Sequence, residues 1–149
     1  MTPIRIQAED MTLTTYLTEL GSLASGGKFI SLFNAAGSIG TASTVFSGAP
    51  GRYEVVIGYY DENDGVSQLQ VNVGGVHYGW NLSQNLGSDQ ASRQSLVRRT
   101  LATGLSLDRG TTIEIQGTAN QQEWSRVDYI EFIPVDYTTY GTKASETMR

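Results

Sequence analysis

Cysteine is absent from the 149 residues. That excludes disulfide cross-links, a thiolate zinc site and a cysteine nucleophile. Histidine is nearly absent too: His77 is the only one, between Val76 and Tyr78 in a strand-like segment. Nothing beside it resembles a nucleophile elbow, so a histidine on a sheet face is a simpler account than a serine triad. No run of about 18 apolar residues occurs, so no membrane-spanning helix and no membrane partner are expected. The start, MTPIRIQAED, lacks the apolar core of a signal peptide, which does not by itself settle the compartment. Positive charge is scarce, with 10 Lys and Arg against 15 Asp and Glu and a net charge of −5. Nucleic-acid binding depends on a basic surface and counterion release, so nucleic acid is not an expected partner.

What is present is β-type. At 39% hydrophobic the chain is not disordered by composition, and its length suits one domain with one core. Ile4, Ile6 and Ala8 alternate with Arg5, Gln7 and Glu9, which predicts a first strand with one apolar face. Further strand-like runs lie at 28–33, 41–46, 53–60, 67–73, 76–82, 95–101, 111–117 and 126–133, most of them separated by glycine-bearing breaks. Gly74-Gly75, between QLQVNV and VHYGWN, predicts a two-residue hairpin, since primed turns need positive φ. The segment 11–20 is the best helical candidate, but three early threonines fit a strand or loop equally well. About nine short strands predict an all-β fold, a β-sandwich jelly roll of two antiparallel sheets. It would occupy 1–135, with the polar stretch 136–149 a linker or frayed tail.

The acids at the two chain ends carry the first candidate chemistry. Gln7 and Glu9 are two apart and would share a face of the first strand. Asp128 shares a face with the apolar Ile130 and Phe132 of the last strand. A carboxylate at the rim of an apolar face is costly unless paired or bound to a cation. Oxygen-only ligands suit a hard ion such as calcium. Spacing alone leaves an ion site and three unconnected surface groups both open.

The opening IQAED, the GGKF segment, the strand PGRYEVVIGYYDE and the terminal RVDYIEF, in that order and spacing, are similar to the family 6, 35 and 36 carbohydrate-binding modules. The resemblance spans about residues 4–135. It implies a structural calcium held by Gln7, Glu9, the backbone carbonyl of Lys28 and Asp128. It also implies a secreted, extracellular, lectin-like module that acts as a monomer and brings a parent catalytic domain of the same chain to its polysaccharide. No motif singles out a carboxylate pair for glycoside hydrolysis among the 15 acids, so the chain is not expected to be an enzyme.

Pairing of 53–60 with 126–133 would place the loop 61–65 beside 120–126, at one tip of the sandwich. The similar families bind sugar mainly at such a tip, with a second site on the concave sheet face. Trp124 offers a flat apolar surface, and Asp61, Glu62, Asn63, Asp64, Asn120, Gln121 and Gln122 offer hydrogen bonds to hydroxyls. Half-buried packing is an equal account of Trp124, and sheet packing the simpler one of Trp80. Resemblance to families 35 and 36 also suggests a second, ligand-site calcium at the DENDG loop. Where family 6 modules usually carry a Tyr and a Trp, this chain reads ISLFN and GSDQASRQS, without either. Arg126 and Arg93 match carboxylates and sulfates, which points to a uronic-acid-containing or otherwise anionic polysaccharide, although solvated surface charge accounts better for Arg93. The alternatives are a β-sandwich adhesion or assembly module that binds protein or a cell surface, and, last, a small hydrolase or lyase.

Overall fold

The computed structural model describes residues 2–135. Among them are eleven strands and no α-helix. In chain order they are β1 (Ile4–Gln7), β2 (Thr12–Thr14), β3 (Leu17–Leu20), β4 (Lys28–Ser31), β5 (Ile39–Val45) and β6 (Gly51–Tyr60). There follow β7 (Ser67–Val73), β8 (Val76–Leu82), β9 (Leu96–Leu107), β10 (Thr112–Thr118) and β11 (Val127–Pro134). The strands form two antiparallel sheets, β3-β4-β11-β6-β9, with β1 also paired to β11, and β2-β5-β10-β7-β8. This is the expected β-sandwich; the expected tail, 136–149, lies outside the described residues.

Period-two patterning builds the sandwich. In β7, Ser67, Leu69, Val71 and Val73 are buried while Gln68 and Gln70 are exposed. In β10, Ile113 and Ile115 turn inward and Thr112 and Glu114 outward. Phe46 joins the layers, edge-on to Tyr53 at 4.9 Å and to Phe132 at 5.2 Å. Each such fully buried aromatic contributes about 1.5–3 kcal/mol relative to exposure. Gly74 and Gly75 take φ of 59° and 88° in a hairpin where Val73 faces Val76, as expected.

Two local expectations change. Residues 11–20 are neither helix nor loop but β2 and β3, in opposite sheets, with Thr15 between them at φ 70°. Threonine's branched Cβ favours the pleated backbone. Glu9 is not in the first strand, which ends at Gln7; it lies in a 3-10 turn, Ala8–Asp10.

Pairing of β1 with β11 (Ile4 opposite Phe132, Gln7 opposite Tyr129) makes the first and last strands neighbours. Pairing of β6 with β11 brings the segment after Tyr60 to the segment before Val127, which forms the tip.

Candidate functional site

Two polar clusters result, both at the start of β11: one around Asp128, the other around the segment just before Val127. The first is centred on Ser25, in the 3-10 turn Ser25–Gly27 ahead of β4. The Ser25 backbone N–H donates to Asp128 Oδ2 at 2.9 Å, and its Oγ accepts from Gln7 Nε2 at 2.7 Å and Arg5 Nη1 at 3.1 Å. With those atoms tied, Gln7 Oε1, Glu9 Oε1 and Asp128 Oδ1 are buried without a hydrogen-bond partner. Gly26, at φ 76°, leaves room for them: a Cβ there would stand 3.2 Å from Glu9 Oε2 and 3.3 Å from Gln7 Cδ. Lys28 opens β4 directly afterwards, and its charge acts on Glu9.

The electrostatics of this cluster favour a cation. Burial pushes the Asp128 carboxyl up to about 6, against the pull of the Ser25 N–H and of Arg5. Burial raises Glu9 as well, and the charges of Asp128 and Asp10 add to it. Two carboxylates and an amide oxygen, all unsatisfied, match a hard ion that takes oxygen ligands. Among the described residues no group of three or more His, Cys, Asp or Glu forms a metal-holding set; here an amide replaces the third acid. Sequence reading named Gln7, Glu9 and Asp128 but missed Ser25, whose only sign was its place before Gly26-Gly27.

The second cluster is the tip, where the loop 61–65 does meet 120–126. Glu123 accepts the N–H of Glu62 at 2.6 Å and of Ser67 at 3.0 Å, and so holds both ends of the loop. Burial pushes its carboxyl up to about 8 against those two hydrogen bonds, with Asp61 and Glu62 adding to the rise. Glu62 Oε2 pairs with Arg126 at 2.8 Å, and Arg126 also holds Glu19 at 2.9 Å. Burial still pushes Glu62 up to about 7.

The expected sugar contacts therefore divide. Asn63, Asn120, Gln121 and Gln122 are exposed. Asp64 is half-buried and one of its oxygens lacks a partner. Asp61 and Glu62 are buried, Asp61 accepting the Gln84 N–H at 3.3 Å. Arg126 is half-buried, with Glu62 and Glu19 on its fork. Trp124 is half-buried and stands edge-on to Phe33, 5.7 Å between centroids. Phe33 is 43% exposed, so ISLFN supplies an aromatic where a Tyr was missed. Sequence reading overlooked both Phe33 and Glu123.

Comparison with known proteins identifies the architecture. Over 91% of this chain and all of the other, it superposes with a TM-score of 0.65 on a family 35 carbohydrate-binding module from Clostridium thermocellum, at 16% identity. The CBM36-1 domain of a multidomain xylanase from the hindgut metagenome of Trinervitermes trinervoides gives 0.61 over 90% of this chain and 98% of the domain, at 19% identity. The insecticidal crystal protein Cry2Aa gives 0.69 over 89% of this chain and 21% of that one, at 17% identity. The fold is thus that of the family 35 and 36 carbohydrate-binding modules, and it also occurs in a toxin. In sequence, the chain is 31% identical over 139 residues to an alpha-glucuronidase of Hypocrea jecorina. That match covers 89% of this chain but only 16% of the length of the enzyme. No protein-family model matches the chain.

Proposed function

We propose that the chain is a non-catalytic polysaccharide-binding module, exported as part of a larger carbohydrate-active enzyme, with its first and last strands joined by a structural calcium. The observation that carries this is the convergence of Gln7 Oε1, Glu9 Oε1 and Asp128 Oδ1, buried and unpartnered, in a carbohydrate-binding-module fold. The carbonyl of Lys28 would add a fourth oxygen. When bound, the ion neutralises Glu9 and Asp128 and ties both chain ends, as a disulfide does elsewhere. In the loop 61–64, Glu62 Oε1 and Asp64 Oδ1 are likewise buried and unpartnered, which supports a second, ligand-site ion there. Arg126 holds the other oxygen of Glu62, and the Gln84 N–H holds Asp61.

The glycan surface is the tip, which offers the exposed Asn63, Asn120, Gln121 and Gln122 and, on the same segment, the Trp124–Phe33 pair. Exposed amides on loops held by a rigid sheet meet hydroxyls, and an exposed aromatic face packs against the C–H groups of a sugar ring. The similarity to a small part of an alpha-glucuronidase supports a module within a larger enzyme, and is in keeping with a uronic-acid-containing ligand. The monomeric module would serve to hold its parent on the polymer.

Affinity electrophoresis against a panel of plant and algal glycans, with and without EDTA, tests the proposal. Retardation by at least one glycan is expected, together with a lower thermal midpoint in EDTA. No retardation on any glycan, with stability indifferent to EDTA, would sink it. The alternative is a β-sandwich adhesion or assembly module that binds protein or a cell surface, since the same fold hosts more than one function. That reading predicts retention on cells from which polysaccharide has been enzymatically stripped.

A further inference from the structure

Three arginines lie over aromatic rings among the described residues, and one differs from the others. Arg5 stands 3.8 Å from the Tyr129 ring centre and also pairs with Glu131. Arg126 stands 5.8 Å from that of Phe29 and pairs with Glu19 and Glu62. Arg99 stands 4.7 Å from the Trp80 ring, and among the described residues it has no carboxylate in ion-pair contact.

The topology explains where Arg99 points. β8 is one edge of the five-stranded sheet and β9 one edge of the six-stranded sheet. Trp80 is opposite Leu69 and Arg99 opposite Ile57, and both partners line the core. Both side chains thus leave the inner faces of edge strands and meet at the open flank of the sandwich. A depression of about 280 Å³ there is lined by Tyr78, Trp80, Arg99 and Thr100. A second, of about 320 Å³, lies across the β8 edge, where Gln68, Gln70 and Asn81 form the outer face of the same strand pair. Tyr59, itself buried, packs 5.4 Å from the same indole and steadies it.

We propose that this flank is a second glycan subsite that takes a carboxylate-bearing sugar unit, with Arg99 as the group that holds the carboxylate. It rests on the polysaccharide-binding reading above and assigns the acidic part of the ligand to a place other than the tip. A guanidinium fork matches a carboxylate bidentately, and stacking on an indole orders it beforehand. Trp80 is therefore a positioning residue for Arg99, while the Tyr78 and Thr100 hydroxyls line the same depression. The tip is unsuited to the same task. Its half-buried fork, Arg126, is taken, and Asp61, Glu62, Asp64 and Glu123 give it an excess of acids.

An inward-facing charge on an edge strand also discourages sheet-to-sheet pairing between molecules. Lysine would serve that purpose as well as arginine but lacks the fork, and the test uses this difference. The whole chain and its Arg99→Ala, Arg99→Lys and Trp124→Ala variants are titrated with a glucuronic-acid-substituted xylo-oligosaccharide and with its carboxyl-reduced counterpart. Wild type is expected to prefer the acidic form. Arg99→Ala should weaken that form roughly tenfold or more, as loss of a charge-assisted hydrogen bond does, and weaken the reduced form far less, so that the preference disappears. Arg99→Lys should lose most of the same preference, and Trp124→Ala should weaken both forms alike. Wild type without a preference, or either Arg99 variant binding like wild type, overturns the flank subsite alone. Wild type that binds neither form overturns the glycan-binding reading and the subsite together.

Discussion

At the scale of single residues, the cluster proposed to hold calcium is arranged by Ser25. Ser25 fixes Gln7 through its hydroxyl and Asp128 through its backbone, and one oxygen of each is left buried without a partner. Ligands oriented by outer partners in this way are a general feature of metal sites. Asp128→Asn keeps the shape and removes the charge. In wild type, calcium at about 100 times its dissociation constant is expected to stabilise the fold by about 2.7 kcal/mol. Thermal unfolding of the asparagine variant should show most of that increment gone. Gly26→Ala acts through both backbone and space, because φ is 76° and the new methyl presses on Glu9 and Gln7. A loss on the order of 1 kcal/mol is expected, and a larger one with calcium than in EDTA. Equal losses in the two conditions would detach Gly26 from the ion cluster.

Elements were more legible in the sequence than their junctions. Strands such as β7 and β10 declare themselves because each keeps strict alternation and ends at a glycine or a polar break. The short strands β2 and β3 were not separable from a helix, since three or four residues of mixed polarity carry no usable period. The proposed ion ligands were legible only as polar groups, Gln7, Glu9 and Asp128, near the two ends of the domain. Their convergence depends on the register of β1 against β11 and on the Ser25 turn, neither of which a single strand encodes. The pairing of Arg126 was not legible because its partners, Glu19 and Glu62, lie 107 and 64 residues away. The outer face of the six-stranded sheet hid a comparable device. Tyr129 lies against Gly58, under Arg5, with Arg98 on its hydroxyl at 3.0 Å, and both arginines grip Glu131. This joins β1, β11, β6 and β9 across one face. At Gly58 a Cβ would fall 2.4 Å from the Tyr129 ring. Gly58→Ala is therefore expected to cost about 1–3 kcal/mol by displacing that ring, as overpacking generally does. Chemical denaturation would register it as a lower midpoint at unchanged slope, and an unchanged midpoint would contradict the close packing described.

For the whole molecule, buried acids set the response to pH. Glu123 and Glu62 are pushed up by burial to about 8 and about 7 from an ordinary value of 4.5. Between 4.5 and those values the folded chain keeps protons that the unfolded chain has released, so stability falls as pH rises through that window. Glu131 has the opposite sign: although burial works against it, Arg5 and Arg98 hold its carboxyl below the ordinary value. The stability it contributes is present above about 4.5 and is lost as pH falls through its lowered value. In EDTA the thermal midpoint should then be highest on the acid side, near pH 5, and decline toward pH 9. Glu123→Gln should flatten the decline. Calcium reverses part of the trend, because Asp128 must give up a proton held up to about 6 before it can ligate. The rise in midpoint on adding calcium is expected to be greater at pH 8 than at pH 5. Scanning calorimetry at the two pH values, with calcium and with EDTA, gives all four midpoints. A calcium effect as large at pH 5 as at pH 8 would mean that the ion does not displace the Asp128 proton, and would remove Asp128 from the proposed ligand set.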